Sequence, residues 1–265
     1  MARANPRHDE QELAADLEQA LGADQIRLEY QPVVRLGNGQ VAGAEALVRW
    51  RHPRRGMLAP ADFVPVAERS GLIDRLGALV LEQACRTALG WPRPSNRGHF
   101  ISVNVSVAQL TPADASDEIL RLVALTGLPA SSLILEVTNS VGLHGEAVAR
   151  TASALREAGV RIALDDFGSA TSLRDLKQLP TDFVKLDREF VVDVDGPPAD
   201  AAFALALLRL AEARGAEAVA KGIESREQAW RLAELGCRFG QGYFFSKPLG
   251  ATGMVAVLRQ GTLRG

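Results

Sequence analysis

At 265 residues, 47% of them hydrophobic and only 5% aromatic, the chain has the size and composition of one large domain with a full core, which excludes a disordered protein. Its net charge of -2 comes from 30 basic and 32 acidic residues spread along the sequence without a basic block, which argues against a nucleic-acid polymer as ligand. Cys85 and Cys237 lack metal-ligand spacing, and no apolar run suits a signal peptide or a membrane span, so a cytoplasmic protein with reduced thiols and no membrane partner is expected.

In chain order, Leu13, Leu17 and Leu21 share one helical stripe and predict an amphipathic helix over 10–21, ended by Gly22. Residues 26–36 read as a strand, and Gly37-Asn38-Gly39 as a tight turn into a second, antiparallel strand over 41–50. That second strand is apolar except for Glu45 and Arg49. A carboxylate inside a strand is costly unless it is paired or holds a metal, so Glu45 marks a polar site at one end of a sheet or an ion pair with a neighbouring strand. Residues 56–65, with prolines at 60 and 65, read as a loop; a helical pattern follows, broken at Gly71 and resumed through Trp91.

Strand-like runs at 99–106, 132–138, 160–165, 182–187, 216–220 and 238–243 then alternate with helical runs near 116–126, 143–158, 199–214, 225–235 and 251–260. With the opening hairpin this makes eight strands. The expected fold is α/β, a modified (β/α)8 TIM barrel with an antiparallel first strand, its barrel at about 26–260 in a single domain over 1–265. An open doubly wound sheet is the alternative, but it usually carries a Gly-rich phosphate turn, which the sequence lacks. Gly196-Pro-Pro198 reads as a turn before the next helix.

In such a barrel the active site lies at the C-terminal strand ends. The residues expected there are polar throughout: Gln31, Glu45 with Arg49, Asn104, Glu136, Asp165 with Asp166, Lys185 with Asp187, Lys221 and Gln241. One such residue means little, but one at every strand end points to a site. Four carboxylates and an amide oxygen, without His or Cys, form a hard donor set suited to Mg²⁺, Mn²⁺ or Ca²⁺ rather than zinc. Asp165 and Asp166 are placed to bridge two such ions, the arrangement used in phosphoester hydrolysis, with Arg49 and Lys185 neutralising phosphate charge. The structural alternatives are a Lys185 that pairs one carboxylate and an Arg49 that snorkels at the surface.

Tyr30-Gln-Pro32, Glu45-Ala-Leu47 with Arg49-Trp50 and His52-Pro53, Phe63-Val-Pro65 to Gly71-Leu-Ile73, and Ser102-Val-Asn-Val-Ser106 occur in this order. Asp165-Asp-Phe-Gly168, Lys185-Leu-Asp187, and Gln241-Gly-Tyr243 through Lys247-Pro-Leu249 complete the series. Together they resemble the EAL domain, the bacterial cyclic di-GMP phosphodiesterase family, over residues 11–260. The resemblance implies a barrel with an antiparallel first strand and a divalent metal, Mg²⁺ or Mn²⁺, on Glu45, Asn104, Glu136, Asp165 and Asp166. It also implies that Lys185 holds the attacking water and phosphate, and that Gln31, Glu45, Leu47, Arg49, Asn104, Asp187, Glu224 and Gln241 line the nucleotide pocket.

Three departures from the family pattern matter. Where the family carries Ala-Glu-Gly-Val-Glu, whose first Glu is assigned as general base, this chain has Ala220-Lys-Gly-Ile-Glu224. An ionised lysine cannot accept the water's proton, and it competes with a second metal for the same carboxylates. The loop from Asp165 to Leu173 is one residue shorter than the family's and has Ala170 in place of a glycine, and the Glu that anchors that loop is here Asn139. The expectation is therefore a degenerate member that binds cyclic di-GMP as a receptor with little or no hydrolysis, read out by a protein partner, with or without metal. The alternatives are an active phosphodiesterase producing the linear dinucleotide pGpG, and a nucleotide-free interaction module. A homodimer is open, because the family's dimer contact uses the altered loop. No cyclase, sensory or membrane segment is read in the sequence.

Overall fold

The computed structural model describes residues 6–92, 98–138, 145–169 and 173–263. Helix α1 (Pro6–Ala20) precedes strands β1 (Ile26–Arg35), β2 (Val41–His52) and β3 (Gly56–Leu58), followed by helices α2 (Pro60–Ser70) and α3 (Ile73–Leu89). Strand β4 (Phe100–Ser106) leads to α4 (Val107–Leu110) and α5 (Ala115–Thr126). Then β5 (Leu133–Thr138), α6 (Glu146–Glu157), β6 (Arg161–Phe167), α7 (Leu173–Gln178) and β7 (Phe183–Leu186) alternate. The chain closes with α8 (Pro198–Ala213), β8 (Glu217–Ala220), α9 (Arg226–Glu234), β9 (Phe239–Gly240) and α10 (Ala251–Gln260).

The sheet order is β1-β9-β8-β7-β6-β5-β4-β2-β3, and an additional β1–β2 pairing closes eight of the strands into a barrel. Strand β1 is antiparallel to both β2 and β9, whereas β2 and β4 to β9 run parallel to one another. The expected antiparallel first strand is therefore present. Closure removes the free edge that an open doubly wound sheet would have kept.

One reading needs correction. Residues 56–65 are not a loop: β3 pairs with Trp50–His52, and α2 begins at Pro60. Pro60 occupies the first helical position, where a missing N–H costs nothing, and Asp62 accepts from the Ala59 amide at 2.8 Å. Pro65 lies inside the helix, and burial of Phe63, Val66 and Ala67 on one face compensates for the hydrogen bond it cannot donate. The 238–243 strand shrinks to Phe239–Gly240, while β6 runs on past Asp165 to Phe167. Asn139 and Ala170 lie outside the described residues, as do 143 and 144 of the helix expected at 143–158.

Period-2 alternation explains how the interior is layered. Val33, Ala42, Phe100, Ile134, Ala163, Phe183, Val219 and Phe239 form a separate buried cluster, with the three phenylalanine rings 6.0–6.4 Å apart. A Cβ on Gly43 would lie 2.6 Å from the Phe100 ring, so only glycine fits at that level of β2. Two residues further along five of these strands stand Glu136, Asp165, Lys185, Lys221 and Gln241. Inward positions recur every second residue, so a floor of aromatic and branched residues carries a polar layer directly above it.

Candidate functional site

The polar layer divides into two clusters, each built on a lysine. In the first, Lys185 donates from Nζ to Glu45 Oε2 at 2.7 Å and to Glu136 Oε2 at 2.6 Å. All three side chains are buried, Lys185 to within 2% of full enclosure. Glu45 also accepts from Asn104 Nδ2 at 2.8 Å and from Gln241 Nε2 at 2.7 Å, and Gln241 Nε2 reaches Gln31 Oε1 at 2.8 Å. In the second cluster, Lys221 Nζ donates to Asp165 Oδ1 at 2.7 Å and to Asp166 Oδ1. Asp166 has a left-handed backbone, φ 49°, unusual outside glycine and held here by the Lys221 contact and its own amide bond to Asp165 Oδ1.

Burial pushes the Glu45 carboxyl up, but the Lys185 charge and the bonds from Lys185, Gln241 and Asn104 override it and hold the group at about 2. Glu136 goes the other way, to about 8, because burial and the neighbouring Glu45 charge outweigh what it gains from Lys185. Two carboxyls thus share one ammonium, and of the two Glu136 is the one that takes up a proton more readily. Burial works against the Lys185 charge, yet Glu136, Glu45 and Asp165 raise its pKa above the ordinary lysine value. For Lys221, burial and the Lys185 charge oppose ionisation, and Asp165 and Asp166 overcome them, so it too is held protonated.

Of the remaining expected residues, Asp187 and Glu224 stand near this centre. Asp187 accepts from Ser169 Oγ at 2.7 Å and from the Glu189 amide at 3.0 Å, and its carboxyl is held below the ordinary range: burial opposes this, and those bonds and the Lys221 charge prevail. Glu224 pairs with Arg188 at 2.6 Å. Arg49 lies apart from both clusters, its Nε donating to Glu29 Oε2 at 2.8 Å, while Leu47 is half-buried opposite Glu29 in the β1–β2 register. Gln31 and Glu45 face each other mid-strand rather than at strand ends, because β1 and β2 overshoot their neighbours as a two-stranded ribbon. Trp50 and His52 of that ribbon are structural: Trp50 Nε1 bonds Gln25, and His52 bonds Asp16 while accepting the Arg54 and Arg55 amides.

Gln31, Glu45, Lys221, Gln241, Arg188 and Tyr243 are among the residues lining an open cleft of about 240 Å³ at the barrel mouth. Sequence reasoning missed Glu29, Arg188 and Ser169. Glu29 had a findable signal, since it shares a strand face with Gln31 two residues away. Arg188 and Ser169 carry no such mark, because they enter through turns.

The family profile described as EAL domain matches residues 14–248. The chain belongs to the EAL domain family. Across 252 residues it is 37% identical to the cyclic di-GMP phosphodiesterase NbdA of Pseudomonas aeruginosa, covering 94% of this chain and 32% of that one. It spans about a third of the length of the curated relatives that resemble it in this way. Among solved EAL structures, the MucR phosphodiesterase in complex with c-di-GMP superposes with a TM-score of 0.83 at 37% identity, over 92% of this chain and 99% of that one. The EAL enzyme Bd1971, bound to cAMP and cyclic di-GMP, gives 0.88 at 32% identity, over 96% and 70%. The (β/α)8 barrel is the fold of these EAL structures too.

Phosphodiesterases of the EAL family are generally divalent-metal dependent. Glu45, Asn104, Glu136 and Asp165 offer the oxygen donors that one hard ion takes, but the Lys185 and Lys221 ammoniums already bond the three carboxylates among them. A second ion does not fit, because the Lys221 ammonium occupies the carboxylates that would bridge it. Among the described residues, no three His, Cys, Asp or Glu side chains are arranged as a ready-made metal cage. None of the described helices is long and apolar enough to cross a membrane.

Proposed function

We propose that this EAL domain is a degenerate member that binds cyclic di-GMP at the barrel mouth and turns it over slowly or not at all. The observation that carries this reading is the Lys221 ammonium held between Asp165 and Asp166. A water in the cleft would need a group there that accepts its proton, and an ammonium has no lone pair to offer. The same charge suits a phosphodiester: Lys221 and the nearby Arg188 offer donors, and Gln31 and Gln241 offer amides.

A divalent ion, when bound, supplies a water of lowered pKa and neutralises phosphate charge. Glu45, Asn104, Glu136 and Asp165 would hold it, and Lys221 stands where a second would bind, so nucleotide binding does not require two ions. Lys185 orients Glu45 and Glu136 in either state. A protein partner would then read the nucleotide-bound conformer, which requires that the nucleotide bind one of two states more tightly. A cytoplasmic location accords with such a ligand.

The second reading, an active phosphodiesterase yielding pGpG, is favoured by the intact first cluster and by the likeness to NbdA and MucR. Calorimetric titration with cyclic di-GMP in Mg²⁺ and in a chelator, followed by chromatography of the cell contents, separates the two. The receptor gives saturable heat and intact nucleotide in both buffers. Linear dinucleotide in the Mg²⁺ cell establishes the enzyme, and no heat in either leaves an interaction module.

A further inference from the structure

The inner face of the β1–β2 ribbon carries an acid that no family motif accounts for. Gln31 pairs with Glu45 and Glu29 with Leu47, so Glu29 stands one step above Gln31 on the same face of the sheet. Its Oε2 accepts from Arg49 Nε at 2.8 Å, and Arg49 Nη1 donates to the Val48 carbonyl at 3.0 Å. The Arg49 side chain is 18% exposed and that of Glu29 39%. The guanidinium is therefore folded back along its own strand and held there by the more exposed carboxylate of Glu29, two residues from Gln31 of the cleft lining.

We infer that Glu29 sets the affinity of this pocket for phosphate by holding Arg49 in the free protein and competing with the ligand for it. The inference rests on the nucleotide-binding reading above. Carboxylate and phosphate engage the same fork of guanidinium donors, so an incoming phosphate must exchange with Glu29 or share Arg49 with it. Either way Glu29 opposes the ligand by occupying the cation that the phosphate would engage. The pair is partly exposed and cheap to open, which keeps Arg49 within reach of a phosphate rather than locking it away. Glu29 thus acts as an affinity-lowering residue, suited to a receptor that must release its ligand when the concentration falls.

The test is a double-mutant cycle on cyclic di-GMP binding, read by calorimetry at low ionic strength on the full chain. Glu29→Gln keeps the shape and removes the charge; it is expected to tighten binding by about three- to tenfold. Arg49→Ala weakens binding, and adding Glu29→Gln to it restores nothing, because the competitor acts through Arg49. Glu29→Ala repeats the first arm without a side-chain amide able to make contacts of its own, and melting curves confirm that each variant is folded. Unchanged or weaker binding by both Glu29 variants overturns the inference, as does a gain that persists without Arg49. If the unsubstituted chain binds and Glu29→Gln gains nothing, only the role of Glu29 falls; if neither binds, the nucleotide reading falls with it.

Discussion

Lys221 Nζ lies 2.7 Å from Asp165 Oδ1 and also bonds Asp166, so a single ammonium neutralises two adjacent carboxylates at the barrel mouth. In Lys221→Glu three carboxylates meet with no cation between them. Without metal the variant melts at lower temperature; Mg²⁺ or Mn²⁺ restores it by more than they stabilise the unsubstituted chain. If the base is the missing part, hydrolysis of cyclic di-GMP rises by about tenfold or more, measured as pGpG by chromatography. Unchanged turnover together with metal-restored stability would show that the base alone does not account for low activity.

Lys185 bridges Glu45 and Glu136 in full burial. Lys185→Met leaves two enclosed carboxyls facing each other without a cation, a loss on the order of 3–5 kcal/mol. Urea denaturation measures it. A loss below about 1 kcal/mol would mean that water reaches the cluster and screens it.

The divergent carboxyls give stability a defined pH dependence in chelator. Glu136, raised from 4.5 to about 8, keeps its proton when folded across a range where the unfolded chain has released it. The folded state then binds more protons, so this group's contribution falls as pH rises from about 4.5 to 8. Glu45, lowered from 4.5 to about 2, contributes stability that is present above 4.5 and lost as pH falls toward 2. Urea midpoints between pH 5 and 9 should decline in the unsubstituted chain and flatten in Glu136→Gln; parallel slopes would refute the assignment.

Gly242 backs directly onto Ile223: a Cβ there would lie 2.0 Å from the Ile223 carbonyl oxygen and 2.3 Å from its nitrogen. The Ile223 amide bonds the Gln241 carbonyl at 3.1 Å, so this contact seats Gln241 against Glu45. Gly242→Ala is expected to cost about 2 kcal/mol or more and to weaken nucleotide binding. Gly250→Ala, with open space around its Cβ, serves as the silent control in the same melting and binding assays.

Much of the fold was legible because it follows from local periodicity. Alternation of short apolar runs with helical stripes announced the barrel, and the Gly37-Asn38-Gly39 turn announced its antiparallel first strand. The first half of α2 was missed because Pro60 and Pro65 resemble loop residues; only the packing of Phe63, Val66 and Ala67 against the core shows why the helix survives them.

By itself, the sequence determined which residues reach the mouth: a polar residue two positions beyond an inward apolar one faces the same interior, so Glu136, Asp165, Lys185, Lys221 and Gln241 share one layer. Tertiary structure decided how their charges divide. Lys185 meets Glu45 across 140 positions and Lys221 meets Asp165 across 56, while Arg49 turns instead to Glu29. Residue types state the signs of these charges but not their separations. In a buried site, a shift of an ångström or two in separation decides which carboxyl keeps its proton and which cation is left for a ligand.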